Sequence, residues 1–218
     1  MFASDLLFFI IDINNTVYSR FTFPFIRKYC DKYKYSLFVL KDKLNPQVHP
    51  AWYKLLCHNI CESPFILCCD LDIFIMPSTP PIHEIIQQDK INICKDACAE
   101  NGKTLLINEF PFFKYNTGLM GIPKVAQSFV ENIYHKNAIT GNWPCWEQMY
   151  VNEALINVDI NVLPNEWNYM VCFYKKGQLP SAKDGYFKHL TPGESYKLMD
   201  RCVWAKNHFD YYNKIKIA

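Results

Sequence analysis

Glycine is scarce in this chain: seven residues in 218, about 3% where roughly 7% is usual. None of the seven completes a G-x-G-x-x-G or a G-x-x-x-x-G-K pattern, which argues against a Rossmann dinucleotide site and a P-loop. A phosphate group bound here must be held by something other than a glycine cradle. A surplus of one charge is missing too. The 23 Lys and Arg nearly balance 21 Asp and Glu, for a net charge of +2, so there is no sign of the broad basic face that a nucleic-acid partner requires. Long hydrophobic runs are also lacking. The N-terminal apolar stretch is bracketed by Asp5 and Asp12 and has no basic segment before it, too short for a signal peptide or a membrane span. Ten cysteines are present, but no C-x2-C pair. Cys57/Cys61 and Cys94/Cys98 are spaced C-x3-C, and Cys68-Cys69 sits in an apolar run. A zinc site weighs less than reduced core thiols here. The expectation is a soluble, cytoplasmic protein with no transmembrane segment. Repeats and Gly/Ser linkers are absent as well, so residues 1–218 are read as a single domain.

Half of the residues are hydrophobic and 16% are aromatic, enough for a sizeable core. Leu6 to Ile13 has the length and composition of a strand, and Tyr35 to Leu40 reads as a second, buried one. Phe21, Phe25, Ile26 and Tyr29 recur at helical spacing, with Pro24 tolerable only in a first turn. Trp52, Leu55, Leu56 and Ile60 mark a helix, and Phe65 to Cys69 a third strand. Further strands are expected at Ile91 to Cys94, Tyr115 to Ile122, Ile160 to Leu163 and Tyr186 to Leu190. Helices are expected at Gln127 to Tyr134, at Glu147 to Leu155 and from Pro192 towards Phe209. Alternating strand and helix predict an α/β sandwich with a mainly parallel sheet.

The sharpest feature is Phe65-Ile66-Leu67-Cys68-Cys69-Asp70-Leu71-Asp72-Ile73-Phe74-Ile75. Two carboxylates one residue apart face opposite sides of a continuous strand, but at a strand end they can converge on one ion. Uncompensated burial of such charges costs several kcal/mol each. A divalent cation with oxygen ligands is the natural partner, and two solvated loop aspartates are the alternative.

An apolar strand ending in D-x-D resembles the metal motif of nucleotide-sugar glycosyltransferases of GT-A fold, a three-layer α/β/α sandwich with a mixed, mainly parallel sheet. There the two acids hold Mn²⁺ or Mg²⁺ on the donor diphosphate, so Asp70, Leu71 and Asp72 fall in the donor site. The order of further segments is similar to the retaining, glycogenin-like and bacterial galactosyltransferase branch, and the small soluble glycosyltransferases of chlorella viruses are a further likeness. The first strand closes on Ile10, Asp12 and Asn14, which by resemblance hold the uracil and ribose. Lys54 corresponds to a basic donor contact, and Asp96 to an acidic residue after the next strand. Tyr115-Asn116-Thr117-Gly118 matches F-N-x-G, and Glu147-Gln148 loosely matches a D-Q segment placed near the anomeric carbon. Leu163-Pro164-Asn165-Glu166-Trp167-Asn168 matches L-P-x-x-[YW]-N. His189 matches the third metal ligand, and Gly193 and Lys197 match the glycine and lysine after it. The ending departs from H-x-x-G-x-x-K-P-W by a longer spacing and no Pro-Trp, and Met149 replaces the last acid of D-Q-D.

What the resemblance implies is a metal-dependent enzyme with Mn²⁺ (or Mg²⁺) at Asp70, Asp72 and His189. It would move a hexose-type sugar from a UDP-sugar to a saccharide or glycoprotein acceptor with retention, Glu147, Gln148 and Asp96 being the catalytic candidates. Residue by residue, plainer readings stand beside these: turn residues at Asp12, Asn14 and Asn116, a core histidine at 189, a solvated lysine at 54. Trp143, Trp146 and Trp167 are open between core packing and sugar stacking. Arg20, Arg27 and Lys28 read as a solvated helix face. Two other functions compete. A HAD-like Mg-dependent phosphatase also uses D-x-D, but Phe74 stands where that family wants Thr or Val. A non-catalytic carbohydrate-binding protein would not need both aspartates intact.

Overall fold

The computed structural model describes residues 5–13, 19–96, 110–141, 143–170 and 185–190, together with Lys206 and Asp210. Six strands form the main sheet: β1 (Leu6–Ile11), β2 (Ser36–Leu40), β3 (Phe65–Cys69), β5 (Asn92–Lys95), β6 (Tyr115–Pro123) and β7 (Asn161–Leu163). Their order is β2-β1-β3-β6-β5-β7. The β1–β2, β1–β3 and β5–β7 pairs are parallel, whereas β6 runs antiparallel to both β3 and β5. Five strands therefore end at one edge of the sheet, and β6 begins there. A smaller sheet, in the order β4-β9-β8, joins β4 (Ile73–Ile75), β9 (Phe187–His189) and β8 (Tyr169–Met170).

The period-two pattern of the strands sorts their side chains to two cores. Leu6, Phe8 and Ile10 of β1, with Phe65, Leu67 and Cys69 of β3, face helix α1 (Ser19–Tyr33) and the small sheet. Phe9, Ile66 and Cys68 face the other way. There they meet a 3₁₀ helix (Pro50–Leu56) that runs into α2 (Cys57–Ile60), and the helices α3 (Gln127–Asn137) and α4 (Glu147–Ala154). The result is a three-layer α/β sandwich with a mainly parallel mixed sheet, as the alternation of elements predicts. In α1 the buried residues Thr22, Phe25, Ile26, Tyr29 and Cys30 follow the i, i+3, i+4, i+7, i+8 stripe of an amphipathic helix.

Three local expectations are corrected. Pro24 lies inside α1, beyond its first turn as the helix is described from Ser19. The missing N–H is tolerated where the buried stripe on either side fixes the helix against the sheet. The stretch marked by Trp52 to Ile60 is not one α-helix but a seven-residue 3₁₀ turn and a short α-helix. Pro50 starts it, and His49 caps it by accepting a hydrogen bond from the Ala51 amide. The apolar β2 is half-exposed rather than buried, because it is the edge strand. Of the helix expected from Pro192 towards Phe209, only Lys206 falls within the described residues. The seven described cysteines are free thiols, six of them buried. No helix among the described residues is long and apolar enough to cross a membrane.

Candidate active site

The carboxyl edge of the parallel strands is where an open α/β sheet presents its ligand-binding crevice. Asp12 follows β1 and is buried, Asp70 and Asp72 follow β3, Asp96 follows β5, and Asn168 comes shortly after β7. Since β6 is reversed, its first residues, Asn116, Thr117 and Gly118, arrive at the same edge. Pairing between β5 and β6 slips between Ile93 and Cys94, the partners moving from Met120 to Asn116. That bulge leaves Thr117 to Leu119 without β5 partners, so Thr117 and Gly118 serve the site instead of the ladder.

Asp70-Leu71-Asp72 is a turn joining the two sheets. The Asp70 amide donates to Gly118 O (2.7 Å), the Ile73 amide to Asp70 O (3.1 Å), and the Thr22 hydroxyl to Leu71 O (2.6 Å). Leu71 is buried by this, and the two carboxylates turn to the same side instead of opposite faces. The Leu190 amide donates to Asp72 O (2.9 Å), and β9 pairs His189 with Ile73. One ligating atom each from Asp70, Asp72 and His189 then lies within 4.8 Å of the others. The grouping expected from the resemblance is thus brought together by the fold.

Whether these residues suit a divalent cation is decided by the histidine. Asn168 Nδ2 donates to Asn116 Oδ1 (2.8 Å), so the Asn168 oxygen faces His189 Nδ1 (2.9 Å). Nδ1 is therefore the protonated ring nitrogen, and the lone pair of neutral His189 is on Nε2, which points at Asp72 Oδ1 (3.2 Å). An outer amide that fixes the tautomer and frees Nε2 is what a ligating imidazole needs, and the donor set fits Mn²⁺ or Mg²⁺ with Mn²⁺ accepting the nitrogen more readily. Burial by itself disfavours the imidazolium. The Asp72 charge and hydrogen bond, helped by Asp70, outweigh it and raise the His189 pKa above its ordinary value.

Gly118 is required by this packing. A Cβ there would collide with the His189 ring, 2.7 Å from Nδ1, and would lie 2.8 Å from Asn116 Oδ1. Gly118→Ala is expected to displace the imidazole, with a cost of about 1–3 kcal/mol from overpacking and at least a ten-fold loss of metal affinity. Thermal melting and Mn²⁺ titration of the variant check this; parent-like metal affinity would show that the ring has room to spare.

Lys54 does not reach solvent. It is 2% exposed, and its ammonium bonds Asp70 Oδ1 (2.9 Å), Glu147 Oε1 (2.9 Å) and Thr117 O (3.1 Å). All three N–H donors are thereby used. Burial opposes its charge, but Asp70 and Glu147 more than compensate and the pKa is raised. Glu147 is buried as well, and its carboxyl also accepts from the Thr117 hydroxyl (2.8 Å). Burial dominates there and leaves its pKa raised, against the opposing pull of Lys54. Gln148 Oε1 accepts from the Thr117 amide (3.2 Å), and its Nε2 donates to Asp96 Oδ2 (3.2 Å), which also receives Asn116 Nδ2 (3.2 Å). A continuous polar network thus runs from Lys54 through Glu147, Thr117, Gln148, Asp96, Asn116 and Asn168 to His189 and Asp72.

Ile10 is fully buried inside β1. Asn14, Gly193 and Lys197 lie outside the described residues. Of the three tryptophans, Trp167 is buried against Tyr186 and Phe187, and Trp143 is half-buried and stacked on Tyr150. Trp146 alone is exposed. Arg20, Arg27 and Lys28 lie on the exposed side of α1, over Phe21, Phe23 and Phe25. Reading the residues singly does not reveal Thr117 as the hydroxyl that ties Glu147 to β6, or Asn168 as the amide that orients His189. The motifs Tyr115 to Gly118 and Leu163 to Asn168 contain them.

No family model matches the sequence, and no curated protein matches it. Solved structures do share its fold. A glycosyltransferase involved in the glycosylation of the major capsid of PBCV-1 superposes with a TM-score of 0.70 at 17% identity, over 92% of this chain and 98% of that one. The bifunctional glycosyltransferase WbbM superposes with a TM-score of 0.64 at 14% identity, over 93% of this chain and 49% of that one. The glycosyltransferase GlyE of Streptococcus pneumoniae TIGR4 gives 0.62 at 10% identity, over 98% and 64%. The chain therefore has a glycosyltransferase fold.

Proposed function

We propose that this chain is a metal-dependent glycosyltransferase that moves a hexose-type sugar from a UDP-sugar to a saccharide or glycoprotein acceptor, with retention, as a single GT-A domain of the glycogenin-like branch. The observation that carries this reading is the Asp70, Asp72, His189 group at the sheet's carboxyl edge, backed by an amide that leaves Nε2 free to ligate. The shared fold supports it. Asp70, Asp72 and His189 would hold Mn²⁺ or Mg²⁺, which when bound would supply a Lewis acid for charge on the departing diphosphate. Asp12, buried at the end of β1, meets the uridine, together with Asn14. Lys54 acts through its partners: it holds Asp70 and Glu147 in place and offsets their charge. Glu147 and Gln148 present oxygens towards the positive charge that develops at the anomeric carbon. Asp96 orients Gln148 and Asn116.

The test is UDP binding by calorimetry with Mn²⁺, with Mg²⁺ and with EDTA, followed by a panel of UDP-sugars scored for UDP release. UDP is expected to bind only with a divalent cation; affinity indifferent to EDTA would refute the reading. A proton on His189 Nε2 competes with the metal, and its pKa is raised. Mn²⁺-dependent UDP affinity should therefore decline as pH falls through a value above the ordinary histidine pKa of about 6.5. The sign for the metal-free fold is opposite. The charged pair with Asp72 stabilises it fully below that ordinary value and fades as pH rises through the folded one.

A further inference from the structure

We infer that Trp146, backed by His49, is the stacking platform for the acceptor sugar, a hexopyranoside presenting a C–H face. This rests on the glycosyltransferase reading and adds to it the place where the second substrate lies. Among the described residues Trp146 is the one exposed Phe, Tyr or Trp, at 55%. Its ring lies parallel to that of His49, centroids 4.1 Å apart and planes 2° apart. One indole face is thereby occupied, and the exposed remainder of the ring system is held flat. Each ring is tied by its place in the chain to the polar network around Lys54 and Glu147. Trp146 immediately precedes Glu147 and stands at the head of α4, while His49 caps the 3₁₀ helix that carries Lys54.

Those two elements meet at three levels. Lys54 pairs with Glu147 at 2.9 Å, Trp52 packs on Tyr150 with centroids 5.4 Å apart, and His49 stacks on Trp146. The stack belongs to the same junction as the Lys54–Glu147 pair. The charges of Lys54 and Asp70 are close enough to act on His49. Burial, with Lys43 and Lys54, lowers the His49 pKa, so its ring is neutral near pH 7 and suited to stack. The backbone is unusual at the same spot, though Lys34 and Asn157 also have positive φ. Cys145 and Trp146 both have positive φ, 61° and 46°, with ψ of −122° at Trp146. Side chains other than glycine adopt such angles only where the surroundings enforce them, and such residues cluster at functional sites. A flat, apolar, rigid ring held at this junction recognises a pyranose by its C–H face and leaves the hydroxyls on the sugar's edge open to polar groups.

The test reads binding and turnover separately. The indole N–H resonance of Trp146 is identified as the one missing from Trp146→Phe among the five tryptophans. Methyl β-glucopyranoside and methyl β-galactopyranoside are then titrated into the intact protein without donor. That resonance is expected to shift and saturate in the millimolar range. In transfer assays with the same glycosides, Trp146→Ala is expected to raise the acceptor KM about ten-fold, with the donor KM changing less than two-fold. Trp146→Phe, which keeps a ring, is expected to recover most of the loss, and melting curves establish that both variants fold. An unmoved Trp146 resonance, or a parent-like acceptor KM in Trp146→Ala, would overturn the platform. Failure of the parent to bind UDP with Mn²⁺ would instead overturn the donor reading, which the donor-free titration does not depend on.

Discussion

Asp72→Asn is expected to lower sugar transfer on the order of 10³-fold, because loss of one charged ligand removes several kcal/mol of stabilisation from the leaving diphosphate. The substitution keeps the side chain's volume. It also spares the backbone contact in which Asp72 O accepts from the Leu190 amide at 2.9 Å, so the turn between the sheets should persist. What is lost is the negative charge beside His189 Nε2, 3.2 Å away. Without it the imidazole loses the partner that raises its pKa, and the metal loses a ligand. Calorimetry of UDP with Mn²⁺ should show the affinity falling in step with turnover, while melting in EDTA changes only modestly. Transfer that remains fast and still depends on Mn²⁺ in this variant would mean that Asp72 is not a ligand.

Lys54→Met carries the largest expected effect on stability. Among the described residues, it leaves buried Glu147 and its neighbour Asp70 with no paired cation. Breaking a buried pair from one side costs about 3–5 kcal/mol, a fall in melting temperature on the order of 10 °C for a chain of this size. The sign with pH follows from Glu147, whose pKa burial already raises and Lys54 holds down. With Lys54 gone it rises further, and a carboxyl protonated more readily in the fold than in the unfolded chain favours the fold at low pH. The deficit of the variant should therefore be greatest at neutral pH and shrink towards about pH 4, near the ordinary glutamate value. Adding Glu147→Gln should restore much of the stability but not the activity. If Lys54→Met melts like the parent at pH 7, the buried ion network contributes nothing net to folding.

The sequence makes some of this plain and hides the rest, for physical reasons. Two acids framed by Phe65–Cys69 and Ile73–Ile75 demand a partner whatever the fold, so Asp70 and Asp72 stand out unaided. The elements are legible where burial leaves an apolar run of strand length, as in β1, or a helical stripe, as in α1. Edge position is not local information, which is why the apolar β2 reads as buried yet lies half in water. Helix subtype is not local either: Trp52 to Ile60 has helical spacing, but Pro50 and the His49 cap tighten its start to a 3₁₀ turn. The partners of Lys54 are the clearest hidden feature. Nothing near residue 54 announces Glu147, because their meeting is decided by how two helices pack on one face of the sheet. His189 becomes readable through the order of the motifs, and its tautomer only through the two asparagines behind it.

The two aspartates ride on the turn that leaves the main sheet, and the histidine sits on the middle strand of the small one. The three residues stand like the jaws of a caliper, two on the turn from one sheet and one on the other, so their gap depends on how the sheets pack. Phe187, fully buried on the histidine's own strand, packs edge-on against Tyr29 of α1 and tilted against Trp167, with centroids 5.5 Å apart in both contacts. Trimming these rings removes no atom of the Asp70, Asp72, His189 group, yet it lets the jaws drift apart or together. Selection at positions 29, 167 and 187 is thus a way to tune the spacing of Asp70, Asp72 and His189 from inside the core.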